Sequence, residues 1–80
     1  MNIDIKDVIT LDDNQKYVVI SKVFYENKNY YYIIGKEMHE NIKFVYEDND
    51  ELVEFNDQEL IKKLLPLFYE KVKDELPIDR

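Results

Sequence analysis

Residues 16–35, Lys-Tyr-Val-Val-Ile-Ser-Lys-Val-Phe-Tyr-Glu-Asn-Lys-Asn-Tyr-Tyr-Tyr-Ile-Ile-Gly, decide the fold. Two runs rich in β-branched and aromatic residues flank Glu26-Asn27, and they contain almost no helix former. In a two-residue hairpin turn, Asn27 takes the positive φ that glycine usually supplies. A turn of that length sets a register. Val23 then faces Tyr30, Ser21 faces Tyr32 and Val19 faces Ile34 on one side of the sheet. The other side sets Phe24, Ile20 and Val18 across from Asn29, Ile33 and Gly35, with Lys22 opposite Tyr31. Both faces are largely apolar, whereas an antiparallel sheet with one wet side alternates more cleanly. The hairpin is therefore expected either at the centre of a curled sheet or small barrel, or with its second apolar face against a partner such as a second copy in a homodimer.

The chain on either side of this hairpin continues the pattern. Residues 7–11 read as a short strand, followed by the polar turn Asp12-Asp13-Asn14-Gln15, where Asp and Asn bond their own backbone. After a loop over 36–40, the strand at 41–46 alternates cleanly, with Ile42, Phe44 and Tyr46 on one face. The acidic turn Glu47-Asp48-Asn49-Asp50 leads to a last short strand at 51–55. The period then changes from two to about 3.6. Asn56 is the expected N-cap, with Glu59 completing a capping box and Phe55 and Leu60 a hydrophobic staple. Leu60, Ile61, Leu64, Leu65, Phe68 and Val72 form one apolar stripe. Pro66 is expected to kink or split the helix near Leu65, and Pro77 marks its stop. The expected architecture is α+β: a single domain over residues 1–80, with a five-stranded antiparallel β-meander within 7–55 and one kinked C-terminal helix over about 57–75.

This order of elements resembles the YrzB-like family of small acidic bacterial proteins of unknown function. The resemblance rests on Ile9-Thr10-Leu11-Asp12-Asp13, Tyr17-Val18-Val19-Ile20, Tyr25-Glu26-Asn27-Lys28-Asn29-Tyr30 and Tyr46-Glu47-Asp48-Asn49-Asp50-Glu51-Leu52-Val53. It spans roughly residues 7 to 70. Asn14 and Asn27 stand where the family usually has glycine. The resemblance implies a β-meander with a terminal helix, and it supplies neither catalytic residues nor a cofactor.

Composition removes most reaction chemistries. The chain has no Cys, Trp or Ala, and one each of Gly (Gly35), Ser (Ser21), Thr (Thr10), His (His39) and Arg (Arg80). Disulfides and thiolate-held metals are excluded, as is a phosphate-cradling loop, which needs two or three glycines. Ser21 lies mid-strand without a nucleophile elbow and reads as a small neighbour of Tyr32. His39 falls in a loop beside Glu37 and Glu40 with no second His or Cys to share a metal. Asp48, Asp50 and Glu59 match positions one, three and twelve of a calcium loop, but Leu52 and Val53 occupy positions five and six, where a ligand and a glycine are required. No enzyme activity and no cofactor are expected. The start of the chain lacks a signal-peptide pattern, and no apolar run is long enough to span a bilayer, so a cytoplasmic bacterial or phage protein is expected.

Charge layout carries the functional signal. Eighteen acids against eleven bases leave −7. Residues 1–46 hold seven acids and six lysines, a balance of −1; residues 47–80 hold eleven acids and five bases, a balance of −6. Glu47, Asp48, Asp50, Glu51, Glu54, Asp57 and Glu59 fall within thirteen residues that contain no base. Such a segment protects an edge strand from pairing with other chains, or it docks a basic partner under electrostatic steering. The function expected is protein–protein interaction through these seven residues. One alternative is inhibition by imitation of a nucleic-acid backbone. A second is weak binding of single-stranded nucleic acid by Tyr30-Tyr31-Tyr32 and the strand lysines, which the net acidity disfavours.

Overall fold

The computed structural model describes residues 2–73. Five antiparallel strands follow one another across a single sheet: β1 (Val8–Thr10), β2 (Lys16–Tyr25), β3 (Lys28–Gly35), β4 (Ile42–Asp48) and β5 (Glu51–Phe55). The helix α1 (Gln58–Val72) closes the order. Two two-residue turns form because their residues accept left-handed backbone: Glu26 and Asn27 at φ 49° and 68°, Asn49 and Asp50 at φ 52° and 65°. Glu47 and Asp48 thus extend β4, where the sequence suggests a turn.

The register departs from the sequence expectation at one residue. Val23 pairs with Tyr30 and Ser21 with Tyr32, as the turn dictates, but the ladder shifts between Val19 and Ser21. Beyond that point Val19 pairs with Ile33, Val18 with Ile34 and Tyr17 with Gly35, in place of Val19–Ile34, Ile20–Ile33 and Val18–Gly35. Ile20 is an extra residue, a β-bulge that bends and coils its strand. It also changes what alternation means along β2. Tyr17, Val19, Ser21 and Val23 are all buried, as in one amphipathic strand, yet the bulge sends the first two and the last two to opposite faces.

Each face accordingly has its own core. On one, Tyr17, Val19, Tyr31, Ile33 and Val45 are joined by Ile3 from the N-terminal segment, Ile9 and Leu11 from the β1 side, and Leu52 from β5. The sheet curls into a half-barrel over this face. On the other, Val23, Tyr30, Leu64 and Phe68 are packed by Tyr25, Tyr32, Phe44, Tyr46, Phe55 and Leu60. Here the rings meet at favourable angles and separations, Tyr30 with Phe55 at 5.6 Å and Tyr32 with Phe68 at 5.8 Å between centroids. The chain itself therefore covers much of both apolar faces of the central hairpin, while Phe24 stays 68% exposed.

The helix begins one residue later than expected. Asp57, not Asn56, is the N-cap, accepting from the N–H groups of Glu59 at 3.1 Å and Leu60 at 3.2 Å. Pro66 sits inside α1 on an exposed surface, and the helix continues through it unsplit. Leu64, Phe68 and Val72 are the buried stripe. Ser21 donates a 2.8 Å hydrogen bond to the carbonyl of Phe68, tying the helix to β2. The expected helical residues 74–75 and the stop at Pro77 lie outside the described residues.

Candidate functional site

The seven acidic residues at 47–59 do not share one surface. Two-residue turns and strand pairing separate them. Glu54, beside Val45 in the ladder, and Glu47, beside Leu52, point to the face over which the sheet curls. Asp48 and Glu51 form the pair next to the turn and point to the helix side, while Asp50 lies in the turn itself. Asp57 and Glu59 sit on the first turn of α1.

Several of these carboxylates already have structural work. Glu47 accepts from the Tyr31 hydroxyl at 3.1 Å and from Asn29 at 3.4 Å. Burial first, and this hydrogen bond second, push the Tyr31 hydroxyl up to about 12. Glu54 pairs with Lys43 at 3.0 Å, a contact that raises the ammonium of Lys43 above its ordinary value. Asp57 is engaged as the helix cap. The acids exposed at or beside the hairpin tip are Asp48, Asp50 and Glu51.

The curl of the sheet adds acids from the other end of the chain. Thr10 and Asp12 share a cleft of about 350 Å³ with Asp50, Glu51 and Leu52. Leu11, Asp12 and Asp13 share another of about 230 Å³ with Lys43, Leu52 and Glu54. Asp13 is held as turn chemistry requires, accepting from Gln15 N–H at 2.9 Å and from the Tyr17 hydroxyl at 2.7 Å. The Tyr17 bond, foremost, keeps the Asp13 carboxyl below the usual carboxylate range. In sequence, Asp12 and Asp13 read only as turn formers. Their place on the acidic edge follows from the curl of the sheet, which sets the β1–β2 turn and the start of β5 on common clefts.

The remaining chemistry-bearing residues are placed as follows. Ser21 is fully buried with its hydroxyl spent on the helix. His39 is exposed in the 36–41 loop. Tyr30 and Tyr31 are buried on opposite faces and present no ring for stacking. Three strand lysines are engaged: Lys22 donates to the Ile3 carbonyl at 2.9 Å, Lys28 lies 4.5 Å from the centre of the Tyr46 ring, and Lys43 pairs with Glu54. Among the described residues no group of three or more His, Cys, Asp or Glu could hold a metal ion, and no helix is long and apolar enough to cross a membrane.

No protein-family model, curated protein or solved structure matches the chain.

Proposed function

We propose that the protein is a non-enzymatic interaction module that docks a basic protein partner on the acidic edge of its half-barrel. The carrying observation is the convergence of Asp12 with Asp50 and Glu51 along one exposed cleft, although thirty-eight positions separate Asp12 from Asp50 (50 − 12). A cationic partner lying along this cleft would meet carboxylates from both ends of the chain, and their field would steer its approach. The division of the other acids between the two sheet faces and the helix cap supports edge docking over imitation of a phosphate backbone, which needs charges in rows on one surface. The cytoplasmic setting expected from the sequence belongs to the same proposal.

The experiment is affinity capture from the native host, in low and high salt, with the natural chain and a variant neutralised at Asp48, Asp50, Glu51 and Glu54 (to Asn, Asn, Gln and Gln). The proposal expects partners held at low salt, released at high salt and absent with a variant that keeps the natural circular dichroism. Capture undiminished by the four substitutions would overturn it.

A further inference from the structure

We infer that the partner enters as an extended basic segment, adding a sixth strand between β1 and β5. This rests on the docking role proposed above and specifies its geometry. In a five-stranded up-and-down meander the first and fifth strands run the same way, so they cannot complete an antiparallel barrel with each other. One further strand, antiparallel to both, can. The sheet is open at this place: β1 and β5 are its two edges and are not paired. They nevertheless curl over the same face, since Ile9, Leu11 and Leu52 pack on one cluster. Thr10, at the end of β1, shares a cleft with Asp50, Glu51 and Leu52, at the start of β5. The two edges follow one another along the gap.

Ladder parity says which backbone groups face it. The N–H of Val19 bonds the Asp7 carbonyl and the N–H of Leu11 bonds the Gln15 carbonyl, so Asp7 through its carbonyl, Ile9 by its place in the ladder, and Leu11 through its N–H face β2. Val8 and Thr10, between them, direct theirs away from β2. Across the gap, the two-residue turn makes Asp48–Glu51 a hydrogen-bonded pair, and Tyr46–Val53 and Phe44–Phe55 follow it. Leu52 and Glu54 therefore point their N–H and C=O groups away from β4. Four residues thus offer a broken template for strand addition.

Charge selects the occupant. Asp12, Asp13, Asp50, Glu51 and Glu54 border the two clefts, and Lys43, the one cation among the described residues that line them, is paired with Glu54. A second copy would bring its own acids to this edge and be repelled. A strand with Lys or Arg at alternate positions would meet opposite charge while its other side chains approach Ile9, Leu11 and Leu52.

The probe is a blocked eight-residue peptide of alternating lysine and valine, with a second peptide of equal charge in which proline replaces two valines. Both are titrated at low salt against the full chain while amide exchange is followed by NMR. The inference expects the proline peptide to bind at least about tenfold more weakly. It also expects exchange at Val8, Thr10, Leu52 and Glu54 to slow at least about tenfold with the first peptide. Thr10→Pro, which removes one gap-side donor and no β1–β2 bond, weakens the first peptide while leaving the spectrum of the fold intact. Equal binding of both peptides with unchanged exchange at those four amides overturns strand addition and leaves the docking reading standing. Failure of both peptides to bind removes both.

Discussion

Single residues show where small groups carry structural weight. The only glycine has an ordinary backbone conformation, so its role is space. A Cβ at Gly35 would lie inside contact distance of the Met38 carbonyl oxygen, backbone that the loop holds through Asn41 N–H to Met38 O at 2.9 Å and Gly35 N–H to Asn41 O at 2.9 Å. Gly35→Ala is expected to destabilise by about 1–3 kcal/mol as overpacking does, measured by urea unfolding. Tyr31 predicts a pH effect. Its hydroxyl is raised from 10.0 to about 12 in the folded chain, so the unfolded chain loses that proton first. Stability from this group is complete below pH 10 and declines as pH rises towards 12, by about 1.4 kcal/mol per pH unit. Burial pushes Tyr17 and Tyr30 in the same direction. Tyr31→Phe should flatten this alkaline decline in denaturant midpoints, and an unchanged slope would contradict the assignment. Asp57 separates folding from binding: Asp57→Ala should cost about 1 kcal/mol through the lost cap.

At the scale of elements, the strands and the helix were legible because their periods differ and their turns use Asn and Asp where left-handed backbone is required. Val23–Tyr30 and Ser21–Tyr32 follow directly from the Glu26-Asn27 turn. The bulge at Ile20 was not legible. Tyr17, Val19, Ser21 and Val23 keep a perfect two-residue period, and nothing in that period reveals that the two halves serve different cores. Only the pairing with β3 discloses the extra residue. The sequence favours Asn56 as the N-cap, one residue early, because Asn56 and Asp57 are both good caps and the hydrogen bonds, not propensity, decide between them. Pro66, expected to kink or split the helix, does not split it. Its ring faces solvent, and burial of Leu64, Phe68 and Val72 on the opposite stripe holds the turns on either side. Pro66→Ala restores an N–H for the Lys62 carbonyl and should raise stability by about 1–3 kcal/mol in denaturant unfolding. No gain would mean that the helix has already relaxed around the proline.

At the scale of the whole molecule, the acidic edge was half legible. The run of seven acids stands out in sequence, but the contribution of Asp12 and Asp13 depends on how far the sheet curls, a tertiary property that no local pattern encodes. The run also overstates its surface, because Glu47, Glu54 and Asp57 are tied to Tyr31, Lys43 and the helix start. The charge of this edge is therefore partly engaged in holding the fold and wider in origin than the run, since exposed Asp12 and Asp13 join it from the other end of the sheet. The central claim is that this edge binds a cationic chain. Its most direct test is the affinity of the alternating lysine–valine peptide for the natural chain and for the Asp48, Asp50, Glu51, Glu54 neutralised variant, at low and at raised salt. The account predicts at least about tenfold weaker binding to the variant, and an affinity for the natural chain that falls steeply with salt. Equal affinity for the two chains at both salt concentrations would contradict it.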